Sequence, residues 1–306
     1  MRLLEGVVVA HLTFFDEEGK VDYPTFRRYI HFLAEKGVNG IFACGTTAEG
    51  QILSLEERKS VLETILDENQ EKMTIVAHCG TTNLSETCAL IEHARRISAH
   101  GAAVVTPFYY AYTQEELYEY YATIARKFTD FPLYLYNIPS LTKNDLSPST
   151  VARLSREFPH LVGIKDSSGN FTTVSSYILE TRADFRVIVG YDRAFLSALL
   201  LGAKGCVTGP GGVFPEPFIA VWEDFQLGDY QKALEDQRKL IAFSSALQEG
   251  ANLAMLKGGI ALRGFGNGRM RAPFRSLPPI ERDALRKKLE KVIAETGYCD
   301  KITFIP

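Results

Sequence analysis

Several absences narrow what this chain can be. Its five cysteines, Cys44, Cys79, Cys88, Cys206 and Cys299, are odd in number and scattered, and no two form a C-x-x-C pair. Neither a zinc site nor a dithiol redox centre is therefore expected, and the thiols read as reduced ones in a cytoplasmic protein. The six histidines, at positions 11, 31, 78, 93, 100 and 160, show no metal-ligand spacing, so no metal is expected. No apolar stretch approaches the ~20 residues that span a bilayer, and no basic segment followed by a short apolar run opens the chain. A membrane is excluded as a partner on that ground. Excess charge of one sign is missing too: 34 Lys and Arg stand against 37 Asp and Glu, a balance that leaves no electrostatic footprint for nucleic acid.

What is present is a regular alternation. GVVVAHL at residues 6–12 is β-branched and apolar, as a strand buried on both faces must be. A helical pattern follows through Phe26, Tyr29, Ile30 and Leu33, then a second strand at 41–44. Ser54 with Glu57, and Thr113 with Glu116, form capping boxes that start two of the later helices. Further strands are expected at 74–78, 102–106, 133–136, 162–165, 186–189 and 205–207, with helices between them at 84–100, 148–158, 171–179 and 194–201. Gly37, Gly101 and Gly202 each end a helix just before an apolar strand, at a period of ~30 residues per βα unit.

Eight such units predict an α/β fold of the TIM (β/α)8 type rather than an open sheet. After Phe214 the pattern turns wholly helical, with helices expected at 218–225, 230–248, 253–262 and 279–295 and a Gly- and Pro-rich connection at 263–273. The domain reading is a barrel over residues 1–225 and a C-terminal helical extension over 226–306, packed on the barrel.

In a barrel of this type the site forms where the strands end, at the C-terminal face. Those positions hold Gly45, Thr46 and Thr47 after the second strand, Tyr109 after the fourth, Tyr136 after the fifth and Lys165 after the sixth. Ser167 follows the sixth, Gly190, Asp192 and Arg193 the seventh, and Val207 and Gly209 the eighth. A desolvated lysine loses its proton readily and attacks carbonyls. A strand-end lysine that reaches solvent or pairs with Asp166 is an equal reading of that motif alone. Joint placement with phenol and threonine hydroxyls favours imine chemistry, and neither paired carboxylates nor a Ser-His-Asp order offers hydrolysis instead.

The segments GIFACGTTAEG (40–50), TPFYY (106–110), YNIPSLT (136–142), GIKDSSG (163–169) and GYD (190–192) resemble the dihydrodipicolinate synthase and N-acetylneuraminate lyase family, in order and across the whole chain. The resemblance implies that Lys165 forms a Schiff base with pyruvate, that Tyr136 moves protons, and that Thr46 and Thr47 hold the pyruvate carboxylate. It also implies that Tyr109 crosses into a neighbouring subunit to complete a hydroxyl relay with Thr46 and Tyr136, in a dimer or tetramer. No cofactor beyond the covalent imine is required.

Four positions depart from the family patterns. Leu141 stands where the synthases carry an arginine for a second carboxylate. Arg193 stands where the sialic acid lyases carry Glu, Gly209 replaces their serine, and Ala48 replaces the usual glycine. The expected partners are thus a small keto acid and an aldehyde. The favoured activity is a class I aldolase for 2-keto-3-deoxy sugar acids. 4-Hydroxy-tetrahydrodipicolinate synthase, a dehydratase or aromatic hydratase-aldolase, and a non-catalytic keto-acid-binding barrel are the alternatives.

Overall fold

Strands as uniformly apolar as these have no face to show to water, and the chain buries them in a closed parallel barrel. The computed structural model describes residues 2–305. The strands are β1 (Gly6–Ala10), β2 (Gly40–Ala43), β3 (Thr74–His78), β4 (Gly101–Val105), β5 (Leu133–Asn137), β6 (Leu161–Asp166), β7 (Arg186–Val189) and β8 (Gly205–Thr208). They pair in chain order, and β8 returns to β1 through Gly6 against Gly205. A Cβ on Gly205 would lie 2.1 Å from the Gly6 carbonyl oxygen, so only glycine lets the barrel close there.

The helices between and around the strands are α1 (Tyr23–Glu35), α2 (Leu55–Asn69), α3 (Leu84–Arg96), α4 (Gln114–Lys127), α5 (Pro139–Thr142), α6 (Pro148–Glu157), α7 (Phe171–Glu180), α8 (Phe195–Leu201) and α9 (Pro215–Gln226). Both capping boxes are formed: the Glu57 amide donates to Ser54 Oγ, and the Glu116 amide to Thr113 Oγ1. The expected TIM barrel with a C-terminal helical extension is the fold observed. Two local expectations are corrected. The helix expected to run to His100 stops at Arg96, because Ser98 takes a left-handed φ of 61° that ends the α ladder. The helix expected from Phe218 starts at Pro215, whose missing N–H costs nothing at a first helical turn. The short α5, directly after β5, was not anticipated.

The extension consists of α10 (Tyr230–Ala246), α11 (Leu253–Leu262) and α12 (Pro279–Thr296). Its apolar side chains join the layer between sheet and helices: Phe214 packs on Phe243 at 4.9 Å between ring centroids, and Phe243 meets Tyr298 edge-on at 5.5 Å. Arg263 adds a bidentate contact to Glu216 of α9 at 2.7 and 3.0 Å. No described helix is long and apolar enough to cross a membrane.

One irregularity in the sheet matters for function. Along β5 and β6, Leu133 pairs with Leu161 but Tyr134 pairs with Gly163, so β6 carries one extra residue, a β-bulge at Val162. Strict alternation from Leu161, whose side chain packs outward, would also turn Lys165 outward. The bulge reverses the phase. Ile164 packs toward the helices, and Lys165 pairs with Tyr136, which faces the barrel interior. Gly163 is required at the bulge, because a Cβ there would meet the Arg186 carbonyl oxygen at 2.4 Å and the Tyr134 ring at 3.0 Å.

Candidate active site

Lys165 is buried inside the barrel mouth, with Nζ 3.9 Å from the centroid of the Tyr136 ring and 4.4 Å from that of Phe42. A pairing with Asp166 is ruled out by the neighbour's own contacts. Asp166 Oδ2 accepts from Asn137 Nδ2 at 2.8 Å, and Oδ1 accepts from the Ser168 amide and hydroxyl, on the opposite side of the strand. Among the described residues no carboxylate lies within ion-pair distance of Nζ. The amine instead faces a cavity of about 810 Å³ over the C-terminal ends of the strands.

The Tyr136 ring is held edge-on by Phe42 and His78 at centroid distances of 5.5 and 5.6 Å, and its hydroxyl lies 3.2 Å from Thr46 Oγ1. His78 backs this arrangement as a neutral ring. Its pKa is lowered first by burial and then by the Arg58 and Lys165 charges. Its Nδ1 lies 3.2 Å from the Cys44 carbonyl oxygen. Thr46 and Thr47 project from a tight loop after β2, closed by the Glu49 amide donating to Thr46 O and the Gly50 amide to Gly45 O, both at 3.0 Å. A Cβ on Gly50 would lie 2.0 Å from the Cys44 carbonyl oxygen, so this turn too is open only to glycine.

The other expected residues divide into two groups. Ser167, Gly190, Asp192, Arg193, Val207 and Gly209 line the same cavity as Lys165, Tyr136, Thr46 and Thr47. Ser167 Oγ is packed so closely that a Cβ on Gly190 would sit 2.0 Å from it. Asp192 is buried and accepts from Ser244 Oγ at 2.6 Å. Burial pushes its carboxyl up to about 6, against the hydrogen bonds from Ser244 and Thr208. Arg193 is ion-paired with Glu249 and donates to Ser245 Oγ at 2.9 Å.

Gly45 and Tyr109 are not brought to the cavity of their own chain. Gly45 lies over the Phe42 ring, and Tyr109 is 83% exposed beside Tyr110, at a strained φ of 83°.

Sequence reasoning missed part of the wall. The connection at 263–278 is a strap that brings Met270, Phe274, Arg275 and Leu277 to the cavity, and Glu249 and Glu281 join them. Its Gly- and Pro-rich composition marked it as irregular, but no local pattern shows that an irregular segment ends up more than 100 residues away from the strand whose site it covers. Arg275 lies at the mouth, with a side chain 75% exposed and paired to Glu281 at 3.0 Å. Leu141, on α5, also lines the cavity. Among the described residues no group of three or more His, Cys, Asp or Glu gathers as metal ligands would.

Residues 3–292 match the model of the dihydrodipicolinate synthetase family. The chain is 33% identical over 273 residues to a 4-hydroxy-tetrahydrodipicolinate synthase of Thermus thermophilus, covering 89% of this chain and 91% of that one. Among solved structures it resembles dihydrodipicolinate synthase from Aquifex aeolicus, at a TM-score of 0.89 and 31% identity over 94% of this chain and 98% of that one. It equally resembles YagE of E. coli K12, a prophage protein of the dihydrodipicolinic acid synthase family solved in complex with pyruvate, at a TM-score of 0.89 and 28% identity over 95% and 99% of the two chains.

Proposed function

The chain belongs to the dihydrodipicolinate synthetase family, whose members are lyases of the class I aldolase type, and from that premise we propose that it makes or breaks a carbon–carbon bond between pyruvate and an uncharged hydroxyaldehyde. The observation that carries the reading is the Lys165 amine facing the cavity, with no carboxylate in ion-pair distance among the described residues, over the ring of a tyrosine whose hydroxyl meets Thr46.

In this reaction the unprotonated Lys165 amine adds to the keto carbon of pyruvate. Water leaves, and the protonated imine that remains draws electrons from the neighbouring carbon. Loss of a methyl proton gives the enamine, whose carbon attacks the aldehyde. Hydrolysis of the imine then frees the product, and the reverse sequence cleaves it. Tyr136, with Thr46 behind it, passes protons between the substrate hydroxyl and the imine. Thr46 and Thr47 hold the pyruvate carboxylate, and Tyr109 of a second copy completes the relay. The exposure of Tyr109 in the single chain supports that last role.

Two features of the wall support an uncharged aldehyde, of the kind released by a 2-keto-3-deoxy sugar acid. Leu141 offers no charge to a second carboxylate, and both arginines of the mouth, Arg193 and Arg275, are already paired with Glu249 and Glu281. The names of the relatives favour a second reading, 4-hydroxy-tetrahydrodipicolinate synthase. Under it Arg275, well exposed at the mouth, would leave Glu281 to grip the carboxylate of the semialdehyde.

Trapping with borohydride and pyruvate, followed by mass spectrometry, tests the shared chemistry. An adduct on Lys165 alone is expected, and an unmodified Lys165 peptide would overturn the mechanism. Kinetics with aspartate semialdehyde, N-acetylneuraminate and 2-keto-3-deoxygluconate side by side then decide the second substrate. We expect the sugar acid to lead by about tenfold or more in kcat/KM, the loss associated with one missing charge-assisted contact.

A further inference from the structure

Outside the cavity lies the most deeply buried ion pair among the described residues. Lys257 of α11 is ion-paired with Glu49, and their side chains are only 2% and 0% exposed. Charges are rarely taken so far from water without a compensating role, because desolvation offsets most of their attraction. This pair joins two walls of the candidate site. Glu49 belongs to the loop that carries Thr46 and Thr47, and its amide closes that loop on Thr46 O. It does so at a left-handed φ of 59°, a conformation that a residue with a Cβ holds only when its surroundings impose it.

On the other side, Lys257 Nζ donates to Arg269 O at 3.0 Å, and the Arg271 amide donates to Glu49 Oε2 at 3.3 Å. Both contacts therefore clamp the strap on either side of Met270, which lines the cavity. The Phe15 ring receives both cations, with Lys257 Nζ 4.0 Å and the Arg271 guanidinium 4.4 Å from its centroid. The pair is thus the point where loop, strap and α11 are held in mutual register.

We propose that Glu49 and Lys257 are positioning residues, a buried strut that sets the Thr46–Thr47 loop against the strap and thereby fixes the carboxylate seat for the keto acid. Neither residue lines the cavity, so each acts only through the loop and the strap. The inference rests on the Schiff-base reading of the site.

The test uses Glu49→Gln, Lys257→Met and the double variant Glu49→Gln/Lys257→Met. The double variant removes both charges, leaves none buried alone and so protects against a simple failure to fold. The readout is the pyruvate concentration that gives half-maximal borohydride trapping at Lys165, measured beside the thermal midpoint and the turnover at saturating pyruvate. We expect that concentration to rise roughly tenfold or more in all three variants, the scale on which small misplacements of binding groups act. Turnover at saturating pyruvate should fall by less than that concentration rises, because Lys165 and Tyr136 are untouched and only Thr46 of the relay moves with the loop.

A merely structural pair would lower the thermal midpoint and the amount of trapped protein but leave the half-maximal concentration where it was. That result, in the folded double variant, would overturn the proposal and spare the mechanism. Absence of an adduct in the wild type would overturn the mechanism and the proposal with it.

Discussion

Replacing Leu141 by arginine turns the argument about the second substrate into a measurement. Leu141 lies on α5, one residue before Thr142, whose hydroxyl accepts from Thr106 Oγ1 at 2.8 Å. Its own amide donates to Ile138 O at 3.0 Å, so the new side chain would leave a fixed base. The leucine side chain is more than half exposed to the cavity, at 59%, and the substitution breaks no core contact. Stability should stay within about 0.5 kcal/mol, as for most surface changes.

A guanidinium there could bind a carboxylate with two parallel hydrogen bonds. Such a charge-assisted contact contributes about 1.5–3 kcal/mol, or roughly ten- to 150-fold at 1.4 kcal/mol per decade. Water in an open cavity and the nearby Glu249 and Glu281 carboxylates pull the expectation to the lower end. We therefore expect Leu141→Arg to raise kcat/KM for aspartate semialdehyde about tenfold while leaving that for an uncharged hydroxyaldehyde within threefold. Steady-state kinetics on both substrates, with a thermal melt as control, provide the assay. A folded variant with an unchanged ratio would refute the idea that this wall position selects the aldehyde. A wild-type enzyme already at its best with the semialdehyde would assign the carboxylate to another cation, with Arg275 the exposed candidate at the mouth.

Tyr136→Phe removes only the hydroxyl 3.2 Å from Thr46 Oγ1, and turnover should fall by ~10²–10⁴-fold with pyruvate trapping retained; a loss under tenfold would make Tyr136 a packing residue. Mixing Tyr109→Phe with Lys165→Ala, each inactive alone, should recover roughly a quarter of wild-type activity if subunits exchange into dimers, because only the mixed dimer rebuilds one complete site; no recovery after verified exchange would refute the crossing, and a Tyr109→Phe active by itself would place Tyr109 outside the relay. Asp192 carries a carboxyl raised by burial to about 6, so the folded chain binds more protons there than the unfolded one between about pH 4 and 6, and the group's contribution to stability is lost as pH rises through that window. Asp192→Asn should therefore gain on the wild type by up to about 3 kcal/mol between pH 4 and pH 8 in denaturant melts; parallel pH profiles would contradict the buried-carboxylate account.

Local pattern carried the architecture. Strands such as Val7 to Ala10 and Ile75 to Ala77 are apolar at every position because both of their faces are buried, and the helices between them are delimited by Ser54, Thr113 and Gly37. These are effects of neighbours within a few residues, so they can be read along the chain, and with them the strand-end positions of Lys165, Tyr136, Thr46 and Asp192. Distances between remote segments decided the rest. The phase of Lys165 depends on the bulge at Val162, which exists because β6 must register with β5 on one side and β7 on the other. Arg193 reads as a free cation until Glu249, 56 residues on, is folded against it. Tyr109 belongs in name to the site, yet its own chain leaves it in solvent. Glu49 meets Lys257, and the strap closes over the strand ends, through contacts that span more than 200 residues. Periodicity reports which face of an element avoids water, whereas the partner that covers that face is chosen only when the whole barrel closes.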